Sequence, residues 1–406
     1  MTWRPFAALL AFSALGLAPC PAAEVAAQPP IEYFPMDAPE GMSQAVIVED
    51  VPLVHTRQLL PLDAGGQLVG AGAVDAQIEQ VLDNLEAVLE DAGSDLESLV
   101  RLNVYALAPP TIDRVRELLS RRLAASVRPT ITSVLTPLPH RGAAVALDAV
   151  AAGADQGDGV VLTRSEAVAG EENCADAAVL PRGGVAYLSG LPEDGGLTES
   201  ATVGAMSRLM ATLDHLHLAP EHVVQVKVFL RPVTSAEEVL REVQAFFPDQ
   251  MTPPVVFVEW LASVPIEIEM VAQLPPSDGA AEDLEYFNPP DVWPSHVFSR
   301  AALVRTNRQI YISGQYAREP SRGEPQALYV FEQLQEILDE TGSDMRHLVK
   351  GTYYAADHDA SRWIDRTRPT VFDPDRPPAA SKAQVHAVGM EGRTMTIDMI
   401  AVERER

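Results

Sequence analysis

The chain has 406 residues, 57 acidic and 30 basic side chains and a net charge of -27, a length that suits two to four domains. So large an acidic excess repels polyanions, and a nucleic-acid role, which needs clustered Lys and Arg, is not expected; the acidity reads as a well-solvated surface. With 47% hydrophobic residues the chain has enough apolar side chains for sizeable cores.

In chain order, residues 1–27 carry one positive charge at Arg4, an apolar run from Phe6 to Ala18 and small residues at Ala22, Ala23 and Ala27. That pattern predicts a cleavable secretory signal, because the apolar core is too short to span a bilayer. The expectation is soluble export, periplasmic or extracellular. It ranks ahead of lipid anchoring at Cys20, where Pro19 stands beside the cysteine in place of a small residue. No later stretch predicts a membrane span. Once Cys20 leaves with the signal, Cys174 stands alone, so no internal disulfide is expected.

Three stretches read as buried strands that end on small residues: "QLVGAGAVD" at 67–75, "VAYLSGLPE" at 185–193 and "QIYISGQYA" at 309–317. Aligned on Gly72, Gly190 and Gly314, the chain falls into three copies of one unit. An amphipathic helix follows in each. Ile78, Val81, Leu82, Leu85, Val88 and Leu89 form its apolar stripe in the first copy, and Val203, Met206, Met210 and Leu213, then Leu328, Phe331, Leu334 and Leu338, repeat it. An alternating strand comes next, at 99–107, 223–231 and 348–356, with one face buried and the other free to line something. A shorter second helix is expected around 112–123 and 236–246, with weak support near Trp363. Each copy closes on two strands, the last being "AAVALDAVAA", "PIEIEMVAQ" and "TMTIDMIAV". Turn-rich segments after Ala152 and Pro275 read as linkers. The predicted organisation is 1–27, then modules at 44–152, 160–274 and 291–403.

A strand ending Ser-Gly-Gln, the "AQ…LDNL" helix, a V-K-x-x-V-Y/F type strand and a closing "IEIEMVA" strand, in that order, resemble the RidA/YjgF family of small reactive-imine deaminases. The resemblance implies an α+β fold in which each module is a mixed β-sheet with two helices on one face. Relatives are single modules that assemble as homotrimers with substrate clefts between subunits. Three tandem copies then imply a single-chain pseudo-trimer and a monomer in solution.

The same resemblance implies an Arg that grips the substrate carboxylate and a Glu that activates water. The Arg position falls on Ile131, Val255 and Ala380, so all three copies lack it. The Glu position falls on Ala146, Glu267 and Thr396, so one carboxylate remains, with Val255 of its own copy expected to stand where its grip should be. An aromatic wall near each module start maps to His55, Cys174 and Phe298. Ser313, Gly314 and Gln315 keep the intact strand end. Lys382 shares a strand face with Ala380 and either points into the cleft or is a solvated lysine. Glu267 either carries chemistry or is the polar face of a closing strand, and His55 is either catalytic or a core histidine. No metal-ligand spacing, phosphate loop or nucleophile elbow occurs, so neither a metal nor a cofactor is expected.

Two functions remain open. One is binding of a small metabolite or partner in inter-module clefts with the deaminase site degenerate. The alternative is a divergent hydrolase that uses Glu267 around Ser313–Gln315.

Overall fold

The computed structural model describes residues 1–2, 30–195, 200–276, 282–290 and 295–404, so the expected signal at 1–27 lies outside the described residues but for its first two positions. Three sheets are present, each with a pair of helices on one face: α1 (Val74–Asp91) and α2 (Pro109–Arg122), α3 (Ala201–His215) and α4 (Ala236–Gln244), α5 (Glu324–Glu340) and α6 (His358–Val371). The apolar stripe of α1 is fully buried in the first module's core with the inner faces of its strands, and equivalent cores lie under the other two helix pairs. Two prolines open α2, where missing N–H groups cost nothing. The helix around Trp363, weak in the sequence, is a full 14 residues capped by Asp357. Its stripe is weak because Thr367 and Arg368 take apolar places, the Arg368 guanidinium lying 4.8 Å from the Tyr353 ring centroid.

In every module the strand after the first helix pairs in parallel with the strand after the second: Leu99–Ala106 with Thr130–Leu135, Val223–Leu230 with Val255–Glu259, and Leu348–Ala355 with Ala379–Gln384. It pairs antiparallel with the closing strand, Val145–Ala152, Ile266–Leu274 or Met395–Val402. These mixed sheets match the expected α+β modules.

The outer strands come from elsewhere. Ala45–Glu49 and Leu53–Thr56 are separated by three residues, yet they do not pair with each other. Ala45–Glu49 pairs with Arg308–Gln315 of the third module, Ala177–Leu180 pairs with Leu53–Thr56 of the first, and Ala301–Val304 pairs with Gly184–Glu193 of the second. The lead-in pair of each module thus completes the sheet of another, in a cycle. Each exchanged pair forms the ladder that a simple hairpin would form, so the exchange costs few hydrogen bonds. Covalent linkage keeps the partners at high effective concentration.

The pairing register corrects one expectation. His55 pairs with Val150 and Ala178 as Tyr187 pairs with Val271 and Ala302, and as Tyr311 pairs with Ile400 and Val46. Arg57, Gln58 and Leu59 therefore stand where Ser189-Gly190-Leu191 and Ser313-Gly314-Gln315 stand. Gly72 is no counterpart of Gly190 and Gly314. It lies in the turn before α1, with φ +77°, where a left-handed residue is needed.

The three sheets turn their other faces towards one another, and buried charges fill the space between them. Arg101 is paired with Asp398 across the first and third modules, and Lys350 Nζ lies 2.6 Å from Glu269 across the third and second. Lys227 Nζ lies 5.8 Å from the ring centroids of Tyr105, Phe229 and Tyr354, one from each module, and donates to the Tyr354 hydroxyl at 3.0 Å. Equal distances from three equivalent positions put this ammonium on the pseudo-threefold axis. Asp148, held by Asn103 and Tyr105 at 2.8 and 2.6 Å, carries the third negative charge.

Breaking one such pair should be costly, because the surviving charge stays buried. Arg101→Met is expected to lower stability by about 3–5 kcal/mol, read as a fall in the urea midpoint. Arg101→Met with Asp398→Leu should recover most of it, and an equal loss in the double variant would assign the cost to packing.

Candidate functional site

Three clefts lie where the small-residue strand end of one module meets the parallel edge strand of another. The seam cleft joins the third module (Arg308–Gln315) to the first (Thr130–Leu135). The acid cleft joins the second (Gly184–Glu193) to the third (Ala379–Gln384), and the leading cleft joins the first to the second (Val255–Glu259).

The serine of the strand end is a staple. Ser313 Oγ donates to the Ser43 carbonyl at 2.6 Å and accepts from the Ile131 N–H at 2.9 Å. Ser189 repeats both bonds, to the Ser299 carbonyl at 2.5 Å and from the Ala380 N–H at 2.7 Å. In the leading cleft Arg57 takes the serine's place, and its donors are committed: Nε to Asp176 at 2.5 Å, Nη1 to the Gln58 carbonyl at 3.0 Å and Nη2 to the Ala169 carbonyl. Gln315 Nε2 donates to Gln44 at 2.9 Å and to the Ser313 carbonyl at 3.0 Å.

The glycine marks close approach. A Cβ on Gly314 would lie 2.8 Å from Thr396 Oγ1 and 3.3 Å from Thr132 Cγ2, and one on Gly190 would overlap the Glu267 carboxylate. Thr396 and Glu267 therefore pack on the strand ends of their own modules. The strand that adjoins each strand end comes from another module, bringing Ile131 to the seam cleft with Thr396, Ala380 to the acid cleft with Glu267, and Val255, whose carbonyl accepts from the Gln58 N–H, to the leading cleft with Ala146.

Two expectations are corrected by this arrangement. Glu267 does not face Ser313, Gly314 and Gln315, and Val255 does not stand opposite Glu267. Both follow from the clefts being formed between modules, so residues close in one repeat end up in different clefts.

Glu267 is buried. Burial first, and then the Glu269 charge, push its pKa up to about 8, against the pull of Lys350 and of the amide and charge of Lys382. It is a neutral acid near pH 7. Glu269 is lowered instead, because Lys350 and Lys227 outweigh its burial. Lys382 Nζ is held by Asp365 at 2.5 Å, so its ammonium is not a free grip.

His55 is fully buried, away from the clefts. Its two ring nitrogens have no partner among the described residues, and burial, then Arg101, lower its pKa to about 4. The proposed aromatic position also splits in two. Arg57, Ser189 and Ser313 donate their N–H groups to the Asp176, Arg300 and Gln44 carbonyls, and the strands pair in matching register, so Phe298 and Cys174 correspond to each other and to Met42, whereas His55 corresponds to Tyr187 and Tyr311. Phe298 is half-buried against the third module's core, with the Arg300 guanidinium 5.4 Å from its ring.

The clefts differ in size. The seam cleft holds a cavity of about 680 Å³, and the leading cleft one of about 190 Å³. Beside the acid cleft a cavity of about 240 Å³ is lined by Leu191, Arg208, His215 and Arg300 and not by Glu267. Gly314 and Gln315 border the seam cavity together with Ile131, Met42, Tyr316 and Arg116. Sequence reasoning missed Arg116 and Tyr316. The signal for Arg116 lay in alignment of the second helices: Arg116, Leu240 and Asp365 stand the same number of residues past the strand ends at Ala106, Leu230 and Ala355. Among the described residues no group of three or more His, Cys, Asp or Glu is placed to hold a metal ion, and no helix is long and apolar enough to cross a membrane.

A fold of repeated mixed sheets with inter-module clefts is the architecture expected of the resembled family. The family model described as Endoribonuclease L-PSP matches residues 36–152 and 292–403, more than half of the chain, and the chain belongs to that family. Over 109 residues it is 33% identical to protein DfrA of Myxococcus xanthus, covering 27% of this chain and 82% of the relative. Over 113 residues it is 33% identical to the 2-iminobutanoate/2-iminopropanoate deaminase of Rattus norvegicus, covering 26% and 80%. Among solved structures it is similar to a YjgF family protein from Neisseria meningitidis, 21% identical over 30% of this chain and 98% of the other with TM-score 0.23. It is likewise similar to a Rid family protein from Yersinia pestis, 23% identical over 30% and 98% with TM-score 0.27.

The raised pKa of Glu267 has a definite sign. Its folded value lies above the unfolded one, so the folded state holds the proton more tightly, and stability is lost as pH rises from the unfolded value near 4.5 towards 8. Glu267→Gln should remove that loss, and its stability relative to the parent should grow across this window in urea melts. A difference independent of pH would show that Glu267 ionises normally.

Proposed function

We propose that this chain binds a small metabolite in its seam cleft and that the imine-hydrolysing site of its relatives has been dispersed. One observation carries the reading: the remaining Glu and the cavity of about 680 Å³ lie in different clefts. The seam cleft has Thr396 and Ile131 at the two positions that are catalytic in the relatives, with Ile131 bordering the cavity, whereas Glu267 shares the acid cleft with Ala380, with no guanidinium at the grip position. A charge-assisted hydrogen bond contributes about 1.5–3 kcal/mol, and acid–base catalysis about 10²–10⁴-fold, so no cleft retains both contributions.

The second reading, a divergent hydrolase working through Glu267, is favoured by that residue's raised pKa, which suits a general acid near neutrality. Hydrolysis of 2-aminoacrylate by the purified chain separates the two. The rate is expected to fall at least about 100-fold below that of a single-module deaminase, as the missing grip and base predict. Ala380→Arg, opposite Glu267, should raise it, while Val255→Arg, opposite Ala146, should not. A parent rate equal to the relative's would establish the hydrolase reading.

Residues 1–27 act as a secretion signal in this proposal, and the exported chain works alone, because the faces that single modules bury by trimerising are buried within it. The net charge of -27 disfavours RNA as substrate despite the family's endoribonuclease label. Exported material, starting between Ala23 and Gln28, should scatter light as one chain; three chains per particle would overturn the single-chain assembly.

A further inference from the structure

We propose that Arg116 is the anion grip of the seam cleft, and that this cleft takes a carboxylate attached to a bulky apolar body. The inference rests on the ligand-binding reading of the cleft given above.

The three equivalent positions on the second helices carry opposite chemistries. Leu240 borders the leading cavity with Ala236 and Glu237, just as Arg116 borders the seam cavity with Ile112 and Asp113. Asp365, the third equivalent, is engaged by Lys382 and Arg368. One position therefore offers a cation, an apolar group and an acid in turn, and an anion is favoured only where the cation stands.

Arg116 also has capacity to spare. One terminal nitrogen donates to Asp113, while its Nε is buried and has no partner among the described residues. A buried N–H without a partner is costly, and an incoming oxyanion would relieve that cost with a charge-assisted bond. The other arginines bordering the seam and leading cavities are spoken for, Arg57 by three acceptors and Arg318, 67% exposed, by Asp37, and Lys382 at the acid cleft is held by Asp365. The acids bordering the seam cavity do not oppose this role strongly. Asp37, Asp113 and Glu391 are exposed, where solvent and salt screen them, and the first two already face arginines.

The rest of the wall sets the body of the ligand. Ile112, Ile131, Met42, Met390 and Tyr316 line the cavity. A volume of about 680 Å³ is in the range that encloses ring-bearing molecules, far more than a three- or four-carbon imino acid fills. Ile131 has replaced the family's grip with apolar surface on the strand wall, and Arg116 presents the charge from the helix wall, so the carboxylate binds at a different end of the cleft.

Calorimetric titration of the full chain with phenylacetate, its neutral amide phenylacetamide, and acetate tests this. Phenylacetate is expected to bind at least about 10-fold tighter than either of the other two, since one probe lacks the charge and the other the body. Arg116→Leu should erase the preference for acid over amide. Asp113→Asn, which frees the guanidinium, should tighten phenylacetate, a gain that misfolding cannot mimic. Ile131→Trp, which fills the cavity, should abolish binding of all three. Equal affinities for acid and amide in the parent, or a preference that survives Arg116→Leu, would overturn the assignment of Arg116 and leave the cleft as a binding site. Absence of binding by every probe, or binding that survives Ile131→Trp, would overturn the cleft reading and this inference with it.

Discussion

Six charges enclosed between three sheets are the constraint on which the rest of the molecule depends. Arg101, Lys350 and Lys227 face Asp398, Glu269 and Asp148 in a space from which water is largely excluded. Burial drives the Asp148 pKa up, whereas Lys227 is held above its ordinary value because Tyr354, Asp148, Glu269 and Asp398 outweigh its burial. Pairs of this kind add little net stability compared with apolar residues of equal volume, but leaving one unpaired is expensive. They therefore act on register: Arg101 and Lys350 are each satisfied only when a neighbouring module presents its acid at the right strand position.

That balance is asymmetric. Arg101 and Lys350 occupy equivalent strand positions and each reaches a neighbour's acid, but the third such position is Gln225, which donates to the Thr56 carbonyl at 2.7 Å instead. The missing cation comes from Lys227, two residues along on the same face and on the axis. In a homotrimer every substitution appears three times, so a lone axial ammonium ringed by three aromatics would become three ammonium groups in one space. A fused chain escapes that restriction, and the clefts show the consequence. One has kept an acid, one has kept volume and the intact Ser-Gly-Gln, and one has gained an arginine bound by acceptors of two modules.

Much of this was legible along the chain. Helix stripes, alternating strands and closing strands are local patterns, and aligning them put Ile131, Val255 and Ala380 at one strand position and Ala146, Glu267 and Thr396 at another, as the pairing register bears out. The first module's strand end was misread because two kinds of glycine look alike in a sequence. Gly190 and Gly314 lack side chains so that Glu267 and Thr396 of their own closing strands can pack on them, whereas Gly70 and Gly72 serve a turn with positive φ. Arg57 and Gln58, the true counterparts, carry no small-residue signature. His55 went astray for a related reason: a period-two pattern places it on a face but does not say whether that face lines a cleft or the charged interior.

The sequence by itself determined the repeat, the α+β character of each module and the equivalence of Ile131, Val255 and Ala380, because these depend on side-chain periodicity and on residue identity at aligned positions. Only the tertiary structure decided which lead-in strand completes which sheet, and which Glu position meets which Arg position. Three nearly equivalent strands offer one another the same backbone hydrogen bonds, so the choice among them rests on contacts between residues far apart in the chain. Ser313 holds Ser43, and Arg101 holds Asp398, across separations that no local pattern encodes.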